Sequence, residues 1–398
     1  MPKPNPENAQ RTRIIEDLRR LVGYRTVTLD PSDISPSPER LKPFQDAMAY
    51  LKQRAIEEGK KRGKQFNITE LESNGRPILI IGTHETKTPD IAILTHIDVT
   101  ESHSSDQFEL KIENGDRAYG KGAYDMKYSA VAGLDILVEL PKGDDDISVS
   151  LMFTSDEEKG AKDGTQVLYH EGYKPDFLII PDGSRSWTVT ASSRALWHFR
   201  IEDIQGRSTH ASRPWEGENA VRRAYRFDEE LATRYPNPTE PSSAMTLNLA
   251  DMGAPRNNDA AHNVVPDKAF LKYDARFGNQ EEMNAFINEL ENSVSTELPG
   301  ARIETDVRYP YHESDLSQPD AQLLMQIIEE RVGHKPEIVH AFGGTDAVHF
   351  PDVPSFIMLA EGDGAHTPNE WVSINGITTF ILILKEFIGK KAENRFES

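Results

Sequence analysis

The stretch Ile91-Ala92-Ile93-Leu94-Thr95-His96-Ile97-Asp98-Val99-Thr100 reads as a short, buried, apolar strand that ends in a histidine and an aspartate two residues apart. An imidazole becomes a fixed metal ligand when its second ring nitrogen is held by an acceptor. Asp98 is close enough in sequence to be that acceptor. Taken alone, the pair suits a hydrogen-bonded structural histidine as well as a metal ligand, so the partners that decide must come from elsewhere in the chain.

Working outward, the same pattern recurs three times. An apolar run at 147–153 is followed by Asp156-Glu157-Glu158, one at 177–180 by Pro181-Asp182, and one at 355–359 by Glu361-Gly362-Asp363-Gly364-Ala365-His366. Short β-branched runs at 67–71 and 77–81 add two more strands. Helical spacing of apolar residues predicts helices at 11–22, 43–58, 129–140 and 374–388. The first two are joined by a Pro/Ser-rich connection over 30–43 that is not expected to continue a helix. Open α/β sheets place their ligand crevice at the carboxyl ends of the strands. Four apolar strands each followed by His, Asp or Glu therefore predict that His96, Glu157, Glu158, Asp182 and His366 meet at one sheet edge.

Between 193 and 308 the texture changes. Strands at 196–201, 245–249, 268–277 and 301–309 and helices at 217–234 and 281–298 give the order βαββαβ, which suits a ferredoxin-like sandwich. Strands with ligand-type residues lie on both sides of this segment. The expected architecture is thus an α/β catalytic domain with a mixed sheet and helices on both faces, built from 1–192 and 309–398, with residues 193–308 as an inserted domain.

Composition narrows the chemistry. The chain has 398 residues, 37% of them hydrophobic and 28% charged, as in ordinary globular proteins. Its net charge of −20 repels nucleic-acid backbones and anionic membranes, so neither is an expected partner. There is no cysteine, which excludes disulfides, thiolate-bound zinc, iron–sulfur clusters and thiol nucleophiles, and leaves His, Asp and Glu as metal ligands. No run reaches the ~20 apolar residues of a membrane span, and the N-terminus shows no apolar core of signal-peptide length. A soluble cytoplasmic protein is expected.

Asp125 follows Gly120-Lys121-Gly122-Ala123-Tyr124 just ahead of a predicted helix. By itself it reads as a helix N-cap, and the spacing does not fit a phosphate loop. Glu157 and Glu158 are adjacent carboxylates that in extended chain would point to opposite sides, one to a metal and the other to substrate; a bare Asp-Glu-Glu equally suits a solvated acidic turn. Together, two histidines and several carboxylates are enough for two divalent ions. Nitrogen and oxygen donors in this mix suit zinc, cobalt or manganese better than calcium or magnesium.

The ordered series His96-Ile97-Asp98, Gly122-Ala123-Tyr124-Asp125-Met126-Lys127, Asp156-Glu157-Glu158, Pro181-Asp182 and Gly364-Ala365-His366 resembles the M20 family of metallopeptidases and amidohydrolases. That family includes aminoacylases, carboxypeptidase G, acetylornithine deacetylase and succinyl-diaminopimelate desuccinylase. The resemblance covers nearly the whole chain and implies a zinc-exopeptidase-like catalytic domain with an inserted lid and dimerisation domain. It implies that Asp125 bridges two divalent ions, with His96 and Asp182 completing one site and Glu158 and His366 the other. Zinc is the implied metal, with cobalt or manganese as alternatives. Glu157 would be the general base, Asp98 the partner of His96, and the Asp125–Met126 peptide bond cis.

Gly206-Arg207-Ser208-Thr209-His210-Ala211-Ser212 resembles the family's lid motif, in which the histidine, here His210, reaches the active site of a neighbouring subunit of a homodimer. Asn263 and Arg276 match lid positions that hold the substrate, commonly its carboxylate, and Gly344 lies in Gly343-Gly344-Thr345-Asp346, which resembles the catalytic-domain loop beside that carboxylate. Lys121 and Tyr128 depart from the usual pattern, and Tyr128 is expected to narrow the site. The implied activity is hydrolysis of the amide of an N-acyl amino acid or small peptide with a free carboxylate. A dipeptidase or carboxypeptidase of the same family is the near alternative, and a catalytically inactive binding homologue the distant one.

Overall fold

The computed structural model describes residues 6–30, 33–102, 104–140, 147–183, 185–255 and 262–397. Two compact units emerge, one comprising Met1–Ala191, Ser314–Val339 and Thr345–Ser398, the other Ser192–Glu313 and His340–Gly344.

The first unit is built on a mixed sheet. Its strands run in the order Asn67–Ser73, Arg76–Gly82, Val149–Thr154, Ile91–His96, Leu178–Ile180, Ser355–Met358 and Thr188–Ser193. The central four, from Val149–Thr154 to Ser355–Met358, are mutually parallel. The flanking strands pair antiparallel. Parallel strands must be covered on both sides, and the period-two alternation of their side chains shows how. Ile91, Ile93, Leu151, Phe153 and Ile179 join the large core with Leu134 and Leu137 of the helix Tyr128–Glu139 and Phe380 and Leu384 of the helix Ile374–Glu397. Their neighbours Ala92, Leu94, Met152, Leu178 and Ile180 face the other way, onto Leu168 of the helix Thr165–His170 and onto Ala347 and Phe350. Because these strands share one direction, their carboxyl ends lie along one edge of the sheet.

One expectation is corrected here. The connection after residue 30 does not stay non-helical to residue 43, because a helix runs from Pro38 to Lys61 with Pro43 inside it. Pro38 occupies the first turn, where a missing N–H costs nothing, and Pro43 removes only one hydrogen bond from a helix whose Phe44, Met48 and Leu51 are buried.

The second unit has an antiparallel sheet in the order Thr246–Gly253, Lys268–Phe277, Ala195–Gln205 and Arg302–Tyr309. The helices Ala220–Arg234 and Gln280–Glu297 start at Asn219 and Asn279, whose side chains accept the backbone N–H groups of Arg222 and Glu282. They bury Phe227, Leu231, Phe286 and Leu290 against Trp197, Phe199 and Tyr273 of the sheet. Among the described residues, no helix is long and apolar enough to cross a membrane.

Candidate metal centre

His96 is the last residue of its strand and its side chain is only 1% exposed. Its Nε2 lies 3.2 Å from Asp125 Oδ1. Its Nδ1 lies 3.1 Å from the Asp98 carbonyl oxygen and 3.4 Å from the Asp98 carboxylate. The nearer acceptor is therefore the backbone of Asp98 rather than its side chain. The reason is that the carboxylate is turned elsewhere: its two oxygens accept the backbone N–H groups of Glu157 and Glu158 at 3.2 and 3.1 Å. One aspartate thus sets the ring of His96 and ties down the turn that carries both glutamates.

That turn changes the expected geometry. Glu157–Lys159 is a single 3-10 turn and not extended chain, because both glutamate N–H groups face Asp98. The two side chains diverge all the same. Glu157 Oε2 lies 3.9 Å from His96 Nε2, whereas Glu158 Oε2 lies 3.1 Å from His366 Nε2.

Asp125 is not a helix N-cap. It sits in a tight turn ahead of the helix Tyr128–Glu139, with φ −117° and ψ 90°, and the Asp125–Met126 peptide bond is cis. While Oδ1 faces His96, Oδ2 lies 3.0 Å from His366 Nε2. Donor atoms of Asp125, Glu158 and His366 all lie within 4.8 Å of one another. Two carboxylates and an imidazole at this spacing suit a divalent ion, and the second oxygen of Asp125 extends the set to His96. His366 differs from His96 in being 55% exposed and in a left-handed backbone conformation, φ 63°, which few non-glycine residues adopt.

The protonation equilibria follow from this crowding. Burial alone would push Asp125 up, but hydrogen bonds from His366 and His96 together hold its carboxyl well below the usual range. Burial pushes Glu157 well above the usual carboxylate range; His96 opposes this, and Asp346, Glu158 and Asp182 add to it. Asp182, after the strand Leu178–Ile180, is raised to about 7 by burial and then by the charge of Asp125, with His96 acting against them. Its Oδ1 accepts the N–H of Gly183 at 2.6 Å. The acceptors Asp125 and Glu158 raise His366 to about 10.

His210, Asn263 and Arg276 belong to the second unit, and Gly344 falls there too, not in the catalytic unit where the resemblance puts its loop. His210 is exposed, with Nδ1 2.7 Å from Ser212 Oγ, and it is drawn to the Asn263 loop, whose carbonyl accepts the N–H of Ala211 at 2.7 Å. Asn263 is exposed as well. Arg276 is half-buried and paired with Asp274 at 2.7 and 3.0 Å. Gly344 has no room for a side chain, since a Cβ there would meet the Tyr309 ring at 2.8 Å.

Tyr128 does not narrow the site. It is fully buried, its hydroxyl donating to the Pro181 carbonyl at 3.0 Å and accepting the Ala360 N–H at 3.1 Å, so it braces two of the strand ends from within the core. Lys121 is buried too and donates to Thr100 Oγ1 at 2.5 Å. Two acidic residues given no role from the sequence stand close to the centre. Asp346 is buried, accepts the Thr165 hydroxyl at 2.9 Å and is raised to about 6, chiefly by burial. Glu370 is buried and accepts the backbone N–H of Asp125. The only signal of Glu370 in the sequence is a carboxylate four residues after His366 and directly before the short strand Trp371–Ser373.

Comparison with known proteins gives the family and the fold. The profile of the family described as Peptidase family M20/M25/M40 matches residues 92–390. Succinyl-diaminopimelate desuccinylase of Rickettsia bellii (strain RML369-C) is 24% identical over 93% of this chain and 95% of its own. Among solved structures, a tripeptidase from Staphylococcus aureus subsp. aureus Mu50 superposes with a TM-score of 0.72 at 20% identity, covering 96% of this chain and 99% of the other. An M20 family metallo-carboxypeptidase from Sulfolobus solfataricus gives a TM-score of 0.73 at 15% identity, over 94% and 98% of the two chains. At these identities the structural likeness establishes the fold.

Proposed function

We propose, from the premise that this chain belongs to peptidase family M20/M25/M40 and is a metal-dependent hydrolase of amide bonds, that it cleaves the amide of an N-acyl amino acid or small peptide bearing a free carboxylate. Asp125 would be shared by two divalent ions, with His96 and Asp182 on one side and Glu158 and His366 on the other. Zinc is the proposed metal, with cobalt or manganese able to serve the same donors. Such ions, when bound, polarise a carbonyl and lower the pKa of water.

The protein's own groups account for the proton traffic. Glu157 Oε2 takes the proton of the attacking water, holds it and delivers it to the departing amine nitrogen. Asp98 keeps Glu157 and Glu158 apart through their backbone N–H groups, so that one serves the ion and the other the substrate. The second unit, residues 193–308 by sequence, would act as lid and dimerisation surface of a cytoplasmic homodimer. There His210 would serve the oxyanion of the neighbouring subunit, and Arg276, Asn263 and the backbone at Gly344 would hold the substrate carboxylate.

The observation that carries this reading is the two-sided Asp125, one oxygen toward each histidine, with Glu157 and Glu158 diverging beside it. In the test, Glu157→Gln should retain its metal while turnover falls by about 10³-fold or more. Turnover within a few-fold of the parent would sink the assignment. A hydrolysis screen of N-acyl amino acids against dipeptides separates deacylase from dipeptidase.

A further inference from the structure

Glu370 plays no part in the chemistry above, yet it is 2% exposed and lies behind the bridging aspartate. Its environment is unusual in one respect: four backbone N–H groups of a single six-residue segment converge on it. The N–H of Gly120 donates to its carbonyl at 3.2 Å, that of Gly122 to Oε2 at 3.1 Å, and those of Tyr124 and Asp125 to Oε1 at 3.0 and 3.1 Å. Lys121 Nζ stands 4.0 Å from Oε2 as a counter-charge. A carboxylate that accepts several backbone N–H groups is a strong, charge-assisted anchor for the chain that supplies them.

The segment so held cannot relax easily in other ways. Gly122 adopts φ 76°, and a Cβ there would meet Val99 Cγ1 at 2.4 Å, so the turn is pressed against its surroundings. The other end of the anchor is equally constrained. Between His366 and Glu370 the chain folds back on itself, with the Thr367 N–H and hydroxyl both donating to the Gly364 carbonyl at 3.0 and 2.7 Å and the Asn369 N–H donating to Thr367 Oγ1 at 3.2 Å. One tight loop therefore carries His366, which faces Asp125 Oδ2, and Glu370, which holds the Asp125 backbone.

We infer that Glu370 is a positioning residue that ties the Asp125 turn to the His366 loop, so that the two ligands on either side of the exposed ion site are set as one piece. Groups behind metal ligands commonly govern affinity by orienting the ligands, at about 10- to 100-fold per group. This inference rests on the reading of Asp125 and His366 as metal ligands, but its first consequence, the ordering of residues 120–125, does not.

The experiment uses the full-length protein with Glu370→Gln and Glu370→Ala. Glutamine keeps one oxygen as acceptor and sets an amide NH2 against a backbone N–H, whereas alanine removes every side-chain acceptor. Hydrogen exchange of peptides spanning residues 120–125 in the metal-free protein should quicken in the order parent, glutamine, alanine. Cobalt(II) affinity, followed by equilibrium dialysis and by the visible absorption of the bound ion, should fall roughly tenfold for glutamine and about 100-fold for alanine, with an altered absorption envelope in both. Should Glu370→Ala fail to fold, Glu370→Gln decides alone. Exchange rates, affinity and spectrum all equal to the parent would overturn the inference. Quickened exchange with unchanged cobalt affinity would overturn its metal-positioning half. Failure of the functional reading shows separately, as unimpaired turnover in Glu157→Gln.

Discussion

His96 and His366 face the two oxygens of one aspartate at 3.2 and 3.0 Å, yet their side chains are 1% and 55% exposed. The first ends a strand in the parallel centre of the sheet, with both ring nitrogens beside acceptors of the protein. The second hangs from a loop in a left-handed conformation and meets Asp125 and Glu158 through Nε2. The core thus places one imidazole and a loop places the other. The candidate centre has a buried half and an open half.

The comparison is broken most severely at the buried half. His96→Ala should cost about 3 kcal/mol of stability, because it leaves the buried Asp98 and half-buried Asp125 carboxylates short of a partner, and metal uptake should fall by more than about 100-fold. A denaturation midpoint and metal content like the parent's would show that the sheet does not set the site. Asp98→Ala comes next. Losing the acceptor for the Glu157 and Glu158 N–H groups should cost roughly 1–3 kcal/mol, and turnover should fall along with metal affinity. If Asp98→Ala melts like the parent, the turn is held by something else.

His366→Ala should weaken one ion by roughly 10- to 100-fold, while the melting temperature of the metal-free protein falls less than in His96→Ala. Equal loss of both ions would argue that the two halves are not separable. The smallest effect concerns protons. In metal-stripped protein His366 is raised to about 10, so its stabilising contact with Asp125 and Glu158 is fully present below about 6.5 and is lost as pH rises through 10. On the proposed ligand set, metal uptake near neutral pH expels that proton. Calorimetry in two buffers of different ionisation enthalpy should find about one more proton released by the parent than by His366→Ala. Equal release would place the proton elsewhere.

Much of this arrangement was legible beforehand because strands and the polar residues that follow them are coded close together. An apolar run followed within a few residues by His, Asp or Glu predicts both a strand and what stands at its carboxyl end, and four such runs proved to be parallel neighbours. The bounds of Lys268–Phe277 are an equally local signal, whereas the helices expected at 217–234 and 281–298 run over Ala220–Arg234 and Gln280–Glu297, with Asn219 and Asn279 as caps. What local pattern missed depends on atoms that meet across long separations. Tyr128, expected beside the substrate, turned inward to the Pro181 carbonyl and the Ala360 N–H, because only the assembled strands offer those partners. Glu370 carried no motif, and its role as acceptor for residues 120–125 spans some 245 positions of sequence.

The sequence by itself determined the family, the α/β class, the absence of thiolate chemistry and the kinds of donor atom available, since each follows from residue type, order or period. Only the tertiary structure decided that the Asp98 backbone, more closely than its carboxylate, meets His96, that the paired glutamates form a turn, and that His366 stands exposed while His96 is sealed. Those outcomes depend on which acceptor is nearer by a few tenths of an ångström. Packing settles such differences, and residue types do not encode them.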